Sequence, residues 1–214
     1  MQNDEPSAVG APSTSEAVAT PMRKRPKPGE RRVQILQALA SMLEQPGAER
    51  VTTAALAARL EVSEAALYRH FASKAQMFEG LIDFIEQSVF TLVNQIVERE
   101  GAGRDQAARI VAMVVQFAEK NPGMTRVMVG DALVFENERL QNRMNQFFDK
   151  IEATLRQVLR DAAAGDGAAS PTVDAQIRAS AITAFVVGRL QRFARSGFRR
   201  APSEHLDAAV ALML

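Results

Sequence analysis

The apolar residues of this chain recur at a spacing close to 3.6 between one proline and the next, and no stretch alternates with the period of two that half-buried strands require. That periodicity restricts the chain to helices, so the expected fold class is all-α. Pro46, Pro122, Pro171 and Pro202 fall between the periodic stretches, where a residue without a backbone donor is tolerated. The spacing predicts helices over 30–44, 74–99, 104–120, 124–135, 137–161, 173–195 and 204–212, with two shorter ones between 52 and 71. In the first, Val33, Leu36, Leu39, Ala40 and Leu43 are expected to face inward. The longest spans roughly 37 Å, enough to join two domains, and carries Phe78, Leu81, Ile82, Ile85, Val89, Leu92 and Ile96 on one stripe. The loosest connection is 165–171.

Residues 1–29 hold five of the nine prolines and few large apolar groups, too little to offset the entropy of ordering, and are expected to form a disordered basic tail. The formal net charge is only +1, yet Arg23, Lys24, Arg25, Lys27, Arg31 and Arg32 crowd one short stretch against the single acid Glu30. Such a run serves either as a solubilising tail or as an arm for a polyanion. The remaining chain divides into a small unit over 30–74 and a larger one over 75–214. With 214 residues, 47% of them hydrophobic, it can bury a sizeable core. There is no cysteine, which rules out disulfides and thiolate metal sites and agrees with a reducing cytosol. Apolar runs are broken by charge, as at Asp83 and Glu86, well short of the roughly 20 residues that span a bilayer. The amino end has no signal-peptide pattern, so a cytoplasmic protein without a membrane anchor is expected.

The most specific pattern lies between Thr52 and Lys74. Thr52 and Thr53 open a short helix of small residues, Glu61-Val62 makes a turn, and Ser63 opens a second helix that carries Leu67 and Phe71 inward. Leu56, Leu60, Val62, Leu67 and Phe71 would close a three-helix core on the first helix, leaving the opposite face free. This is a helix-turn-helix. On the free face, Ala65 permits close approach to base edges, and Tyr68, Arg69 and His70 can reach bases or phosphates. Thr52, Thr53, Ser63 and Lys74 sit at helix amino ends, where backbone amides hold phosphate. For Tyr68 a half-buried rim position is the alternative, and His70 and His205 are otherwise structural or solvated. No cofactor or metal is expected: two histidines, no cysteine and no glycine-rich phosphate loop leave no catalytic constellation, so the chain is not read as an enzyme.

The string TTAALAARLEVSEAALYRHFASK resembles the TetR family of regulators, which join this motif to an all-helical dimerising domain. Glu61 stands where the family turn usually has glycine, and Ala72 where proline is common. The later strings MFEGLIDFIEQSVF, EKNPGMTRVMVGDALVFENERLQNRMNQFFDKIEATLRQVLR and VGRLQRFARSGFRRAP are similar to the nucleoid-occlusion members of the family. That resemblance implies a nucleoid-associated protein that binds palindromic double-stranded DNA sites across the chromosome and antagonises the tubulin-like division protein FtsZ. It further implies a partner surface at Phe84, Lys120 and Asn121, with Leu92, Met113 and Gln116 beside it in changed chemistry; for Phe84 the alternative is the helix core. Ser180, Ala184 and Gly188, recurring every four residues, form a smooth stripe for a homodimer interface, or otherwise for an intrachain contact. The rival function is a ligand-responsive TetR-type transcriptional repressor.

Overall fold

The computed structural model describes residues 29–45, 50–99, 103–165 and 170–214. The expected tail over 1–28, the stop at Pro46-Gly47 and most of the 165–171 connection therefore lie outside the described residues. Helices α1 (Glu30–Leu43), α2 (Thr53–Arg59) and α3 (Glu64–Tyr68) form the amino-terminal unit. From it, α4 (Lys74–Arg99) runs into the body and α5 (Arg104–Lys120) returns beside it. The short α6 (Pro122–Met128) packs on α1, α5 and α8, and a single 3₁₀ turn (Asp131–Leu133) follows. The long pair α7 (Glu138–Gly165) and α8 (Pro171–Arg195) packs along its length, and α9 (Leu206–Ala211) rests on α5. Among the described residues every regular element is helical, and none is long and apolar enough to cross a membrane.

Three elements depart from the periodicity. In α1, Val33 is 53% exposed and Ile35 is buried in its place, because the inward stripe runs through Ile35, Leu39 and Leu43. In α4, Leu92 is 41% exposed while Val93 is buried; both lie about one turn on from Val89, so the period alone does not choose between them and packing puts Val93 inside. The helix expected over 124–135 begins earlier, with Pro122 in its first turn where a missing N–H costs nothing. It also stops at Met128, because Gly130 takes φ 83° and turns the chain left-handed. Val134 and Phe135 beyond it are exposed.

One continuous core runs from Leu39 and Leu56 through Phe78, Ile82, Ile85 and Val89 to Phe147, Ile151, Ile182 and Val186. Phe147 packs edge-on to Phe90 and Phe148 at centroid separations of 5.4 and 5.1 Å. Outside that core, charge ties the start of α7 to α4: Arg143 reaches Asp83 at 2.9 Å and Glu86 at 2.6 Å, Arg139 pairs with Glu79, and Lys74 pairs with Glu136. Burial by itself would lower the Arg143 pKa, but the hydrogen bonds and charges of Asp83 and Glu86 outweigh it and hold the guanidinium above its ordinary value.

The amino-terminal unit is seated on the body through α6. Thr125, fully buried, donates from Oγ1 to the Ala118 carbonyl at 2.6 Å and so fixes the corner between α5 and α6. At that corner a Cβ on Gly123 would lie 1.9 Å from the Ala40 carbonyl oxygen, so only glycine permits α6 to press against the α1 backbone. Gly123→Ala is expected to force the two apart at a cost of about 1–3 kcal/mol. Urea titration checks this as a fall in midpoint at unchanged slope; an unshifted midpoint contradicts it.

Candidate nucleic-acid interface

α3 has five residues, far below the length at which an isolated helix persists in water, so its position comes from what surrounds it. Leu67 and Phe71 are buried, α3 packs on α2, and the Phe71 ring lies between Arg32 and Leu36 of α1 and Gly80 of α4. The Arg32 guanidinium lies 4.0 Å from the Phe71 ring centroid and donates from Nη1 to the His70 carbonyl, which pins the end of α3 to the start of α1. At the other end, Ser63 adopts extended backbone and accepts from the Ala66 amide at 3.2 Å. Thr52 caps α2 in the same way, accepting from the Ala55 amide at 3.1 Å. Ser73 accepts from the Gln76 amide at 3.2 Å while Gln76 Oε1 accepts from the Ala72 amide at 2.9 Å, a reciprocal cap that starts α4.

The turn between α2 and α3 bends through Glu61, which takes φ 54°, the left-handed conformation inferred from its place in the motif. Val62 donates its amide back to Ala57 at 3.0 Å, which closes the turn. The cost of a side chain at this position is therefore present in the folded state.

The structure places Thr52, Ser63, Ala65 and Arg69 in solvent, and Thr53, His70 and Lys74 half-buried. Tyr68 is 44% exposed, which leaves its ring accessible to a partner. Its hydroxyl lies 3.5 Å from Thr53 Oγ1, which in turn donates to Glu64 Oε2 at 2.6 Å. Three side chains from two helices are thus held in one chain of hydrogen bonds on the open face. Arg69 and His70 follow the last helical residue, and Lys74 stands apart because Glu136 takes its ammonium. Sequence reasoning missed Glu64. A carboxylate can accept from a cytosine amino group, and the position of Glu64 directly after the cap Ser63 was the available signal that it stands on the open face.

The second expected surface lies on α4 and α5. Gln106 donates to the carbonyls of Ile96 and Val97 at 3.4 and 3.2 Å, which sets the register of the antiparallel pair and brings Phe84 level with the end of α5 at Lys120 and Asn121. Phe84 is 47% exposed, which removes the core alternative. Lys120 is exposed, and Asn121 is half-buried with Nδ2 donating to the Phe117 carbonyl at 2.7 Å. On α8, Ser180 and Ala184 are exposed, and a Cβ on Gly188 would meet nothing within 4 Å. The small-residue stripe therefore has no intrachain neighbour at Gly188.

An open face on a capped two-helix turn, carried by an all-helical body, defines a helix-turn-helix DNA-binding regulator. Residues 35–81 match the model of the bacterial regulatory proteins of the tetR family, and residues 105–214 match the SlmA-like form of the tetracyclin repressor-like C-terminal domain. The nucleoid occlusion factor SlmA of Photobacterium profundum is 50% identical over 182 residues, covering 85% of this chain and 92% of its own. SlmA of Vibrio cholerae is 50% identical over 184 residues, covering 86% and 93%. Among solved structures, the regulator PfmR of Thermus thermophilus superposes with a TM-score of 0.67 at 22% identity, over 85% of this chain and 97% of that one. FadR of Bacillus subtilis, in complex with stearoyl-CoA, gives 0.67 at 12% identity over 85% and 96%. These two likenesses establish the fold. The chain belongs to the TetR family and, within it, to the SlmA nucleoid occlusion factors. Its relatives are DNA-binding regulators, not enzymes.

Replacing Glu61 by glycine relieves the left-handed strain, and the expected outcome is a gain of up to about 1 kcal/mol with duplex affinity unchanged. Thermal unfolding beside a binding isotherm measures both, and a loss of stability would contradict the reading of the turn.

Proposed function

We propose that this protein is a DNA-bound nucleoid occlusion factor: a homodimer places two copies of α3 in successive major grooves of a palindromic site, and the bound dimer antagonises FtsZ over unsegregated DNA. The observation that carries the DNA reading is the ordered face of Thr53, Glu64 and Tyr68 beside exposed Ala65 and Arg69. Thr52, Thr53, Ser63 and Lys74 lie at helix starts around it, where amides and hydroxyls suit phosphate, and His70 borders it. Pairing along Ser180, Ala184 and Gly188 sets the separation of the two reading heads, and a two-fold dimer reads a two-fold site. This places the protein in the cytoplasm, on the nucleoid.

For FtsZ, the supporting feature is an exposed aromatic, Phe84, level with Lys120 and Asn121 on the α4–α5 side. An exposed aromatic is a residue type enriched at protein interfaces. The ligand-responsive repressor is disfavoured by the filled interior: Ile82, Ile85, Val89, Ile110, Val114, Phe147 and Ile182 are each buried to 1% exposure or less where the helices of the body meet.

Because Phe84 is exposed, Phe84→Ala should leave folding and duplex binding intact while weakening FtsZ capture at least tenfold, about 1.4 kcal/mol. Co-sedimentation of FtsZ polymers with and without the DNA site reads the outcome. A folded, DNA-competent variant that still recruits FtsZ normally rejects the assignment.

A further inference from the structure

The carboxyl end of α8 and the turn after it carry Arg192, Arg195, Arg199 and Arg200, all four exposed. None has a carboxylate within 4 Å among the described residues. The nearby acid in chain order, Glu204, is exposed and lies 3.9 Å from His205. Two open concavities of about 490 and 360 Å³ run between these arginines.

The turn that presents them is built rather than loose. Ser196 Oγ accepts from the Arg199 and Arg200 amides at 3.1 and 3.0 Å and donates to the Phe193 carbonyl at 2.9 Å. Gly197 and Phe198 are both left-handed, and the Phe198 ring is held by Phe193 at 5.1 Å and by the Arg126 guanidinium of α6 at 5.2 Å. A fifth arginine, Arg189, is spent on structure: it donates to the carbonyls of Pro202 and Glu204 at 2.8 and 2.7 Å.

Register places the cluster in the molecule. Gln176 of α8 bonds Arg156 at 2.8 Å and Glu152 at 3.1 Å, so these residues are level on the antiparallel pair. Sixteen residues on from Gln176, about 24 Å at 1.5 Å per residue, is Arg192; the same rise back along α7 reaches Glu138. That is the end where Lys74 meets Glu136, directly after the reading head. Through Arg126 the cluster also leans on α6, which rests on α1 at Ala40. Gly188 and Phe185 line the larger concavity, so the cluster adjoins the stripe proposed above for the dimer, and a two-fold pairing there would set two copies of it about the axis.

We propose that Arg192, Arg195, Arg199 and Arg200 are a second DNA-binding surface, which neutralises phosphates of the central base pairs between the two half-sites. The inference rests on the reading above, that α3 binds a palindromic duplex in a dimer paired through α8. Guanidiniums of one sign without carboxylate partners, repeated about the axis, match a phosphate lattice. An acidic protein segment is the competing occupant; the phosphate lattice is favoured because the four guanidiniums repeat along one exposed turn whose own aromatic, Phe198, is engaged by Phe193 and Arg126.

The test uses the full chain and a duplex that it selects from a random-sequence pool, with salt dependence measured for the wild type and for the quadruple variant R192Q/R195Q/R199Q/R200Q. The slope of log K against log salt is expected to shrink by about 0.9 for every phosphate that the variant leaves un-neutralised, with preference over a scrambled duplex retained. Neutral methylphosphonate linkages at the central base pairs should weaken wild-type binding and leave the variant unaffected; this arm is read on the unmutated protein as well. A folded, dimeric variant with wild-type slope and affinity overturns the inference, as does unchanged DNA binding with lost FtsZ capture, which would reassign the surface to protein docking. A wild-type chain without preference for the selected duplex contradicts the reading of α3 itself, and this inference with it.

Discussion

Everything that this protein does with DNA depends on burying one side of a five-residue helix. Such a helix has almost no stability of its own, so the burial of Leu67 and Phe71 and the grip of Arg32 on the Phe71 ring and the His70 carbonyl replace the length that it lacks. With that side held, the open side presents Glu64 and Tyr68 in a hydrogen-bonded order with Thr53 of α2. Preorganisation of this kind spares the side-chain ordering cost that binding would otherwise incur.

The same economy governs the body. The start of α7 is tied to α4 by ion pairs at Arg139 and Arg143, and further along Phe147 packs edge-on to Phe90. α6 links body and head by a backbone approach that only Gly123 allows. α1 in turn holds the end of α3 through Arg32, so one run of contacts joins the body to the reading head.

Most of the architecture was legible in the sequence, because a 3.6-residue period over long amphipathic segments has one structural solution, and because Thr52, Ser63 and the left-handed Glu61 are local signals obeyed locally. What escaped were features decided by partners distant in the chain. Val33 and Leu92 are apolar and near the right phase, yet the core selected Ile35 and Val93, a choice that depends on which face of each helix meets its neighbours. The break at Gly130 was hidden by apolar residues on both sides of it. Glu64 was passed over although it directly follows the cap Ser63, because its bond to Thr53 forms only when α2 folds beside α3. The arginines at the end of α8 have no place in the sequence reading, because only the pairing with α7 sets them level with the reading-head end.

The central claim is that two chains, paired through α8, insert two copies of α3 into one duplex. Its most direct test is a stoichiometric titration of the selected palindromic duplex by analytical ultracentrifugation near physiological ionic strength, with a scrambled duplex as competitor. The account predicts saturation at an even number of chains per palindrome, with the scrambled duplex unable to displace it. Saturation by single chains, or equal affinity for both duplexes, would contradict it.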